Sequence, residues 1–261
     1  VKVGDHVDIG DVIATAGGFV SAPVHASVSG TVKKIDTILV SSGNNVNAIT
    51  IESDGEMKVS EAVKPPKLET YEDFINAVKD SGLVGLGGAG FPTAVKLKID
   101  DLSRIKAVVI NGAECEPYIT CDESIMLSYT KEFLEGVRLC MLACGANRAV
   151  IGVENNKKSA IRALNDQITG SVCVKSLRTR YPQGAEKQLI KSCTGRVVPE
   201  RKLPVDAGVV VVNVHTAFSV YRAVAENLPC YERIMTVSGK AVQNPQNLWV
   251  KNGTLFRAVA E

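Results

Sequence analysis

Four largely apolar runs recur between residues 105 and 214 of this chain: "IKAVVING", "RAVIGVE", "SVCVKSL" and "GVVVVNV". A strand of this kind has no polar face to turn toward water, so it must be covered on both sides. Segments of helical spacing lie between them. "DESIMLSYTKEFLEGVRLCMLACG" reads as one helix ending at Gly145, and "KKSAIRALNDQI", "GAEKQLIKSCTG" and "TAFSVYRAVAEN" read as three more. Ahead of the first run, "YEDFINAVKDSG" is helical, with Thr70 as its N-cap. Strands alternating with helices predict an α/β fold, a mostly parallel sheet with helices on both faces.

The rhythm is different at both ends. Residues 1 to about 59 hold short apolar runs broken by Gly-Asp pairs, the pattern of a small all-β barrel or sandwich. "VKVGDHVDIGDVI", with "SGTV" nearby, resembles the biotinyl/lipoyl carrier fold. The modified lysine of those carriers has no counterpart, since Lys33 and Lys34 simply follow "GTV", so the resemblance extends to fold and not to activity. "EAVKPPKLET", with Pro65 and Pro66, reads as a linker. From Tyr231 onward β character returns, as if a further small domain were opening. The expected division is a barrel-sandwich segment at 1–63, an α/β domain at 64–230, and the start of a truncated domain at 231–261. Residue 1 is Val, and "NGTLFRAVAE" stops without a turn, so a fragment of a longer protein is expected.

Composition narrows the function classes. With 45% apolar and 22% charged residues, a chain of 261 can bury a substantial core. A net charge of +2 and 5% aromatics give neither the basic field nor the stacking platforms that nucleic acid requires. No run of about 18 apolar residues is present to span a membrane. The seven cysteines are odd in number and form no C-x-x-C, which reads as a reduced thiol set. Cys140 and Cys144 share a helix face and read as core. Cys115 and Cys121 are structural thiols or, on one loop, metal ligands. His6 and His25 are expected at the surface or in turns. His215 has no nucleophile and acid beside it in the pattern, which argues against a Ser/His/Asp hydrolase.

The chemistry concentrates in four patches. "SGLVGLGGAGFPTAVKL" packs five glycines between Gly82 and Gly90. Gly85, Gly87 and Gly90 complete a G-x-G-x-x-G, but a helix precedes it where a dinucleotide fingerprint needs a strand. What survives is a bare backbone whose N–H groups can close around an anion. Pro92 is read in the first turn of a helix pointing its positive end at the same place, with Lys96 one turn on. The bland alternative is a glycine-rich turn packed on the sheet. "INGAECEPYITCD" leaves the carboxyl end of a strand, where α/β sheets place ligands, and carries Asn111, Glu114 and Glu116. "YPQGAEKQL" follows another strand and opens a helix. In "VVVVNVHTAF", Asn213 ends a strand and Thr216 opens a helix.

Taken together, "GLGGAGFPTAVKL", "NGAECEPYITCD", "YPQGAEKQLI" and "NVHTAFSVYRAV" closely resemble the RnfC family, the C subunits of the Rnf electron-transport complex. More distantly they resemble the NADH-binding flavoprotein subunit of respiratory complex I, and related cobalamin and proline-reductase modules. The resemblance covers nearly the whole chain. It implies a complex I flavoprotein-like α/β domain between a barrel-sandwich segment and the start of a β-grasp domain. It also implies FMN held by Gly85, Gly87, Gly88, Gly90, Lys96, Asn111, Glu114, Gly184 and Asn213, with NADH seated by Phe91, Glu116 and Glu186. Catalysis would belong to the flavin, with no protein catalytic residue and no metal in this chain. Three polar positions of the complex I pattern are Leu86, Ala113 and Ala185 here. The implied partners are NAD(H), other subunits of a membrane complex and, indirectly, ferredoxin. The implied location is peripheral, on the cytoplasmic face of the cell membrane. The 4Fe-4S clusters of the family belong to a C-terminal part with two C-x-x-C-x-x-C runs that this chain does not contain. The alternatives are a related soluble flavoprotein reductase, or a scaffold module that has lost flavin.

Overall fold

The computed structural model describes residues 1–40 and 42–260; Ser41 and Glu261 lie outside the described residues. The chain opens with β1 (His6–Val7), β2 (Val12–Ala14), β3 (Val24–His25), β4 (Gly30–Leu39) and β5 (Asn45–Ser53). β1, β4 and β5 form one antiparallel sheet and β2 and β3 a second, around a small core of Val7, Ile13, Ala26 and Val32. Of the two histidines expected at the surface or in turns, one departs from the expectation. His25 is buried, and its ring lies against Gly82, where the α/β domain meets this segment. His6 is exposed but pairs with Asp8 at 3.2 Å.

The α/β unit begins with α1 (Tyr71–Asp80), capped by Thr70 and Asp73 in a reciprocal capping box, and α2 (Thr93–Leu97). Then follow β6 (Ala107–Gly112), α3 (Cys121–Ser128), α4 (Thr130–Ala143), β7 (Ala149–Glu154), α5 (Lys158–Asn165), β8 (Val172–Leu177), α6 (Glu186–Thr194), β9 (Val209–Asn213) and α7 (Val214–Ala225). The four strands are all parallel, in the order β8-β7-β6-β9. Within each apolar run, alternate residues serve different cores. Val108, Ile110, Ile151 and Val212 meet α3, α4, α5 and α7 on one face. Val109, Val150 and Val211 meet Leu189, Ile190 and Cys193 of α6 on the other. Each fully buried side chain of this size contributes about 1.5–3 kcal/mol, which explains why the runs Ala107–Ile110, Ala149–Val153 and Val209–Val212 carry no polar side chain.

The sheet grows from β6 through β7 to β8, then the chain returns to the other side of β6 as β9. The crossover helix α6 accordingly covers the opposite face from α3, α4 and α5. This reversal leaves a crevice outside the carboxyl ends of β6 and β9, the place where such sheets take ligands. β10 (Glu232–Val237) and β11 (Gln246–Lys251) follow as an antiparallel hairpin, then α8 (Phe256–Ala260).

Two helix readings need correction. The helix expected as one piece up to Gly145 is two, broken at Tyr129, whose φ of −128° and ψ of 39° leave the helical region. There the ring packs on Phe218 and Trp249, at centroid distances of 5.0 and 6.1 Å. The last helix of the unit opens at Val214, not Thr216, because Asn213 itself is the N-cap and accepts the Thr216 N–H. Cys140 and Cys144 are fully buried, as their shared face requires.

Candidate functional site

The glycine loop is a closed excursion from the unit's surface. Thr93 N–H donates to the Leu83 carbonyl at 2.9 Å and Gly85 N–H to the Phe91 carbonyl at 2.8 Å, so the two ends are zipped together. Gly88 sits at φ +117° and Gly90 at φ +61°, conformations a side chain resists. Among the described residues, the N–H groups of Gly87, Gly88 and Ala89 have no acceptor in the protein. Pro92 is the N-cap of α2 rather than a residue of its first turn, and α2 has only five residues. The exposed amides, not a long helix dipole, are therefore what this loop offers an anion.

The loop is clamped at Leu86. The Leu86 N–H donates to Thr216 Oγ1 at 2.9 Å, and its carbonyl accepts from Arg233 Nη2 at 3.1 Å. Leu86, at the position where the complex I pattern has arginine, is an apolar plug in the main core.

Between this loop and the sheet end lies a cleft of about 290 Å³. The parallel register sets Asn111 of β6 beside Asn213 of β9 on its floor. Of the twelve sequence-predicted residues, eight line it: Gly85, Gly87, Phe91, Lys96, Asn111, Gly184, Glu186 and Asn213. Lys96 Nζ donates to the Val211 carbonyl at 3.1 Å and stands 3.5 Å from Glu186. Asn111 Nδ2 donates to the Gly184 carbonyl at 2.9 Å, which ties the first residues before α6 to β6. Phe91 is 38% exposed at the cleft mouth. Thr93, Thr216, Ala89, Val211 and Val212 complete the lining.

Four of the twelve lie elsewhere. Gly88 and Gly90 belong to the outer turn of the loop, and Glu116 is exposed on the strand-end loop beside Cys115. Glu114 is turned away from the cleft. Its φ is +34° and its carboxylate is buried, accepting the Asp122 N–H at 2.7 Å and the Glu123 N–H at 3.4 Å. Thr120, the N-cap of α3, makes no side-chain cap, so Glu114 satisfies that helix end in its place. Lys157 Nζ completes the group, 3.0 Å from Glu114 and 2.9 Å from Glu123. Burial alone would depress the Lys157 pKa, but the hydrogen bonds to Glu123 and Glu114 outweigh it and hold it above the ordinary value.

Two site features were not singled out from the sequence. Thr93 is 2% exposed, and its Oγ1 has no hydrogen-bond partner although it lines the cleft. As the first residue of α2 it has no helical carbonyl four residues back to bond, so the hydroxyl is left over. Asp122 is buried beneath the cleft floor, and Asn213 Nδ2 donates to its Oδ2 at 2.6 Å. Burial, then the nearby Glu114 carboxylate, push its pKa up to about 7. The signal for Thr93 was its place just after a proline. Nothing local marks Asp122.

The remaining chemistry-bearing residues are structural. His215 is buried, and burial followed by the Arg233 and Arg222 charges lowers its pKa to about 3, so it is a neutral ring packed beside Phe218 and Trp249. Cys115 Sγ accepts the Gly184 N–H at 3.3 Å, and burial raises its pKa. Burial, then Asp122 and Glu114, push the Cys121 thiol up to about 12. Among the described residues, no group of three or more His, Cys, Asp or Glu is gathered to hold a metal ion, and no helix is long and apolar enough to cross a membrane.

Comparison with known proteins bears on the family and the fold. Residues 78–222 match the Nuo51 FMN-binding domain, and residues 1–56 match the RnfC barrel sandwich hybrid domain. Over its full length the chain is 45% identical to the C subunit of the Na(+)-translocating ferredoxin:NAD(+) oxidoreductase complex of Acetobacterium woodii, covering 60% of that protein. It is 39% identical to the C subunit of the proton-translocating ferredoxin:NAD(+) oxidoreductase complex of Clostridium ljungdahlii, over 98% of this chain and 57% of that one. The chain thus spans about 60% of the length of these curated relatives. Among solved structures, an NAD+-reducing NiFe hydrogenase shares the fold, with a TM-score of 0.60 and 24% identity over 73% of this chain and 38% of that one. The chain belongs to the Nuo51 FMN-binding domain family, in the form found in RnfC homologues that align over the whole of this chain.

Proposed function

We propose that this chain binds FMN in the cleft between the glycine loop and the ends of β6 and β9, and NAD(H) at its mouth. In the whole protein it would be the electron-entry module of an ion-translocating ferredoxin:NAD oxidoreductase complex. The observation that carries this reading is a cleft lined by Gly87 and Ala89, whose amides have no acceptor in the protein, with a lysine in the same lining and an orphaned Thr93 hydroxyl. An anionic group with a polyhydroxyl chain fits those donors. FMN, when bound, supplies the exchange between two-electron hydride transfer and single-electron transfer.

In this reading each residue has a role that its placement supports. The free amides and Lys96 hold the phosphate. Asn111, Gly184 and Asn213 line the floor against the flavin. Phe91 offers an open aromatic face for the nicotinamide nucleotide, with Glu186 beside it and Glu116 on the neighbouring rim. Glu114 shapes the site indirectly, by holding the N-terminus of α3. The module would work at a membrane through its partner subunits, which are also the route by which electrons would reach ferredoxin.

Thr93 tests the cleft directly. Thr93→Val removes the hydroxyl at nearly constant volume. FMN affinity, read by flavin fluorescence quenching, is expected to fall about threefold to tenfold, the value of one hydrogen bond. Thr93→Ser should restore it. Unchanged affinity in Thr93→Val, or no binding by the wild-type chain, would contradict the reading.

Glu116 tests the division between ligands. Glu116→Ala should leave FMN affinity within about twofold of wild type and weaken NADH-driven bleaching of the flavin by roughly threefold to tenfold. Loss of flavin in Glu116→Ala would place that residue at the other ligand.

A further inference from the structure

Asn213 stands at the centre of the cleft floor, and the two ends of its amide are nearly identical in shape. Here the environment decides between them. Asp122 Oδ2 lies 2.6 Å from Nδ2, and an ionised carboxylate accepts but cannot donate. The Thr216 backbone N–H, which can only donate, meets Oδ1 at 3.2 Å and caps α7, so both neighbours turn the amide N–H toward Asp122, most firmly once its carboxyl is ionised above about pH 7. The same Thr216 holds the glycine loop, its hydroxyl accepting from the Leu86 N–H at 2.9 Å. Arg233, which holds the Leu86 carbonyl from the other side, also faces Asp122 and partly balances its charge. Gly87 packs so tightly on Asn213 that an added Cβ would lie 3.0 Å from the Asn213 Cβ. A turn of the asparagine is thus transmitted to the loop.

We propose that Asp122 is a positioning residue of the site. Its buried carboxylate orients Asn213 and, through Thr216, fixes the loop backbone at Leu86, which holds the unpaired amides of Gly87 and Ala89 at the cleft. The proposal takes its ligand from the FMN reading above, but the loop can be observed without any ligand.

This arrangement carries a cost that identifies it. With the Asp122 pKa raised to about 7 by burial and by Glu114, against Arg233 and the Asn213 and His215 donors that lower it, the folded chain holds a proton the unfolded chain releases near pH 4. Stability contributed by this group is therefore lost as pH rises from about 4 through about 7. Removing the charge should stabilise the fold while loosening the site.

The test uses Asp122→Asn and Asp122→Ala in the full chain, with three readouts: thermal midpoint from pH 5 to 8, FMN affinity, and hydrogen exchange at the Leu86 amide in the ligand-free protein. With FMN affinity and exchange read at pH 8, where the wild-type carboxyl is ionised, Asp122→Asn replaces a charged acceptor by a neutral amide, so the hold on Asn213 Nδ2 weakens while the Thr216 N–H still faces Oδ1. FMN affinity is expected to fall about threefold to tenfold and Leu86 exchange to quicken by a similar factor. The melting midpoint should rise relative to wild type, with the gap widening toward pH 7 and levelling off above it. Asp122→Ala, which removes the acceptor, should weaken FMN binding tenfold or more. Asp122→Asn with wild-type FMN affinity and wild-type Leu86 exchange overturns the proposal, whether or not Asp122→Ala folds. If the wild-type chain binds no FMN, the functional reading fails. Leu86 exchange in the ligand-free variants then decides the positioning role alone, faster exchange supporting it and unchanged exchange overturning it.

Discussion

Lys96→Ala is expected to weaken FMN binding roughly tenfold to a hundredfold, the effect of losing a charge-assisted contact of about 1.5–3 kcal/mol. Among the described residues, Lys96 is the only cation that lines the cleft. Its ammonium is held at the wall by the Val211 carbonyl, 3.1 Å away, so little side-chain freedom remains to be lost when an anion arrives. Glu186, 3.5 Å off and exposed, is a loose partner that an arriving anion displaces easily. Two controls locate the effect. Riboflavin, which lacks the phosphate, should bind wild type and Lys96→Ala alike. The FMN affinity of wild type should also fall with ionic strength more steeply than that of the variant. Equal losses for FMN and riboflavin would move Lys96 away from the phosphate.

Gly136→Ala is expected to destabilise the chain by roughly 3 kcal/mol or more, lowering the melting midpoint by about 6–12 °C for a protein of this size. In an open helix the same change would stabilise by up to about 1 kcal/mol, because alanine is the better helix former. Here α4 crosses α7 at contact distance. A Cβ on Gly136 would fall 2.0 Å from the Ala217 carbonyl oxygen and 2.7 Å from its carbon. Both are backbone atoms in the middle of a helix and cannot swing aside. The two helices would have to separate, which unseats Phe133, Val137, Phe218 and Val220 from the same core. Thr216 adjoins Ala217, so the loop clamp would move with α7 and FMN affinity should fall as well. A midpoint equal to or above wild type in scanning calorimetry would show that the helices part without cost.

Much of the site was legible in the residues. The glycine run, Lys96, Asn111 and Asn213 stand out because they lie at a strand end or beside the start of a helix, and a parallel sheet gathers its carboxyl ends at one edge, whereas Gly184 and Glu186 are marked by the family resemblance. Glu114 shows the limit. It follows a strand directly, as a ligand residue would, yet its carboxylate turns to the first turn of α3 and to Lys157, 43 positions away in sequence. No local pattern announces that α5 will bring a lysine there. Thr93 and Asp122 were missed for the same reason, since one is defined by a partner it lacks and the other by a partner on a distant strand.

The sequence by itself determined the α/β class, the order of its strands and helices, the flanking β segments and the edge of the sheet at which ligands bind. These follow from apolar periodicity and from glycine and proline, which act through neighbours in the chain. The tertiary structure alone decided the break at Tyr129, the close crossing at Gly136, the clamp on Leu86 and the direction of Glu114. Each of these depends on which side chain another element delivers, and a buried polar group must turn to whatever partner packing supplies.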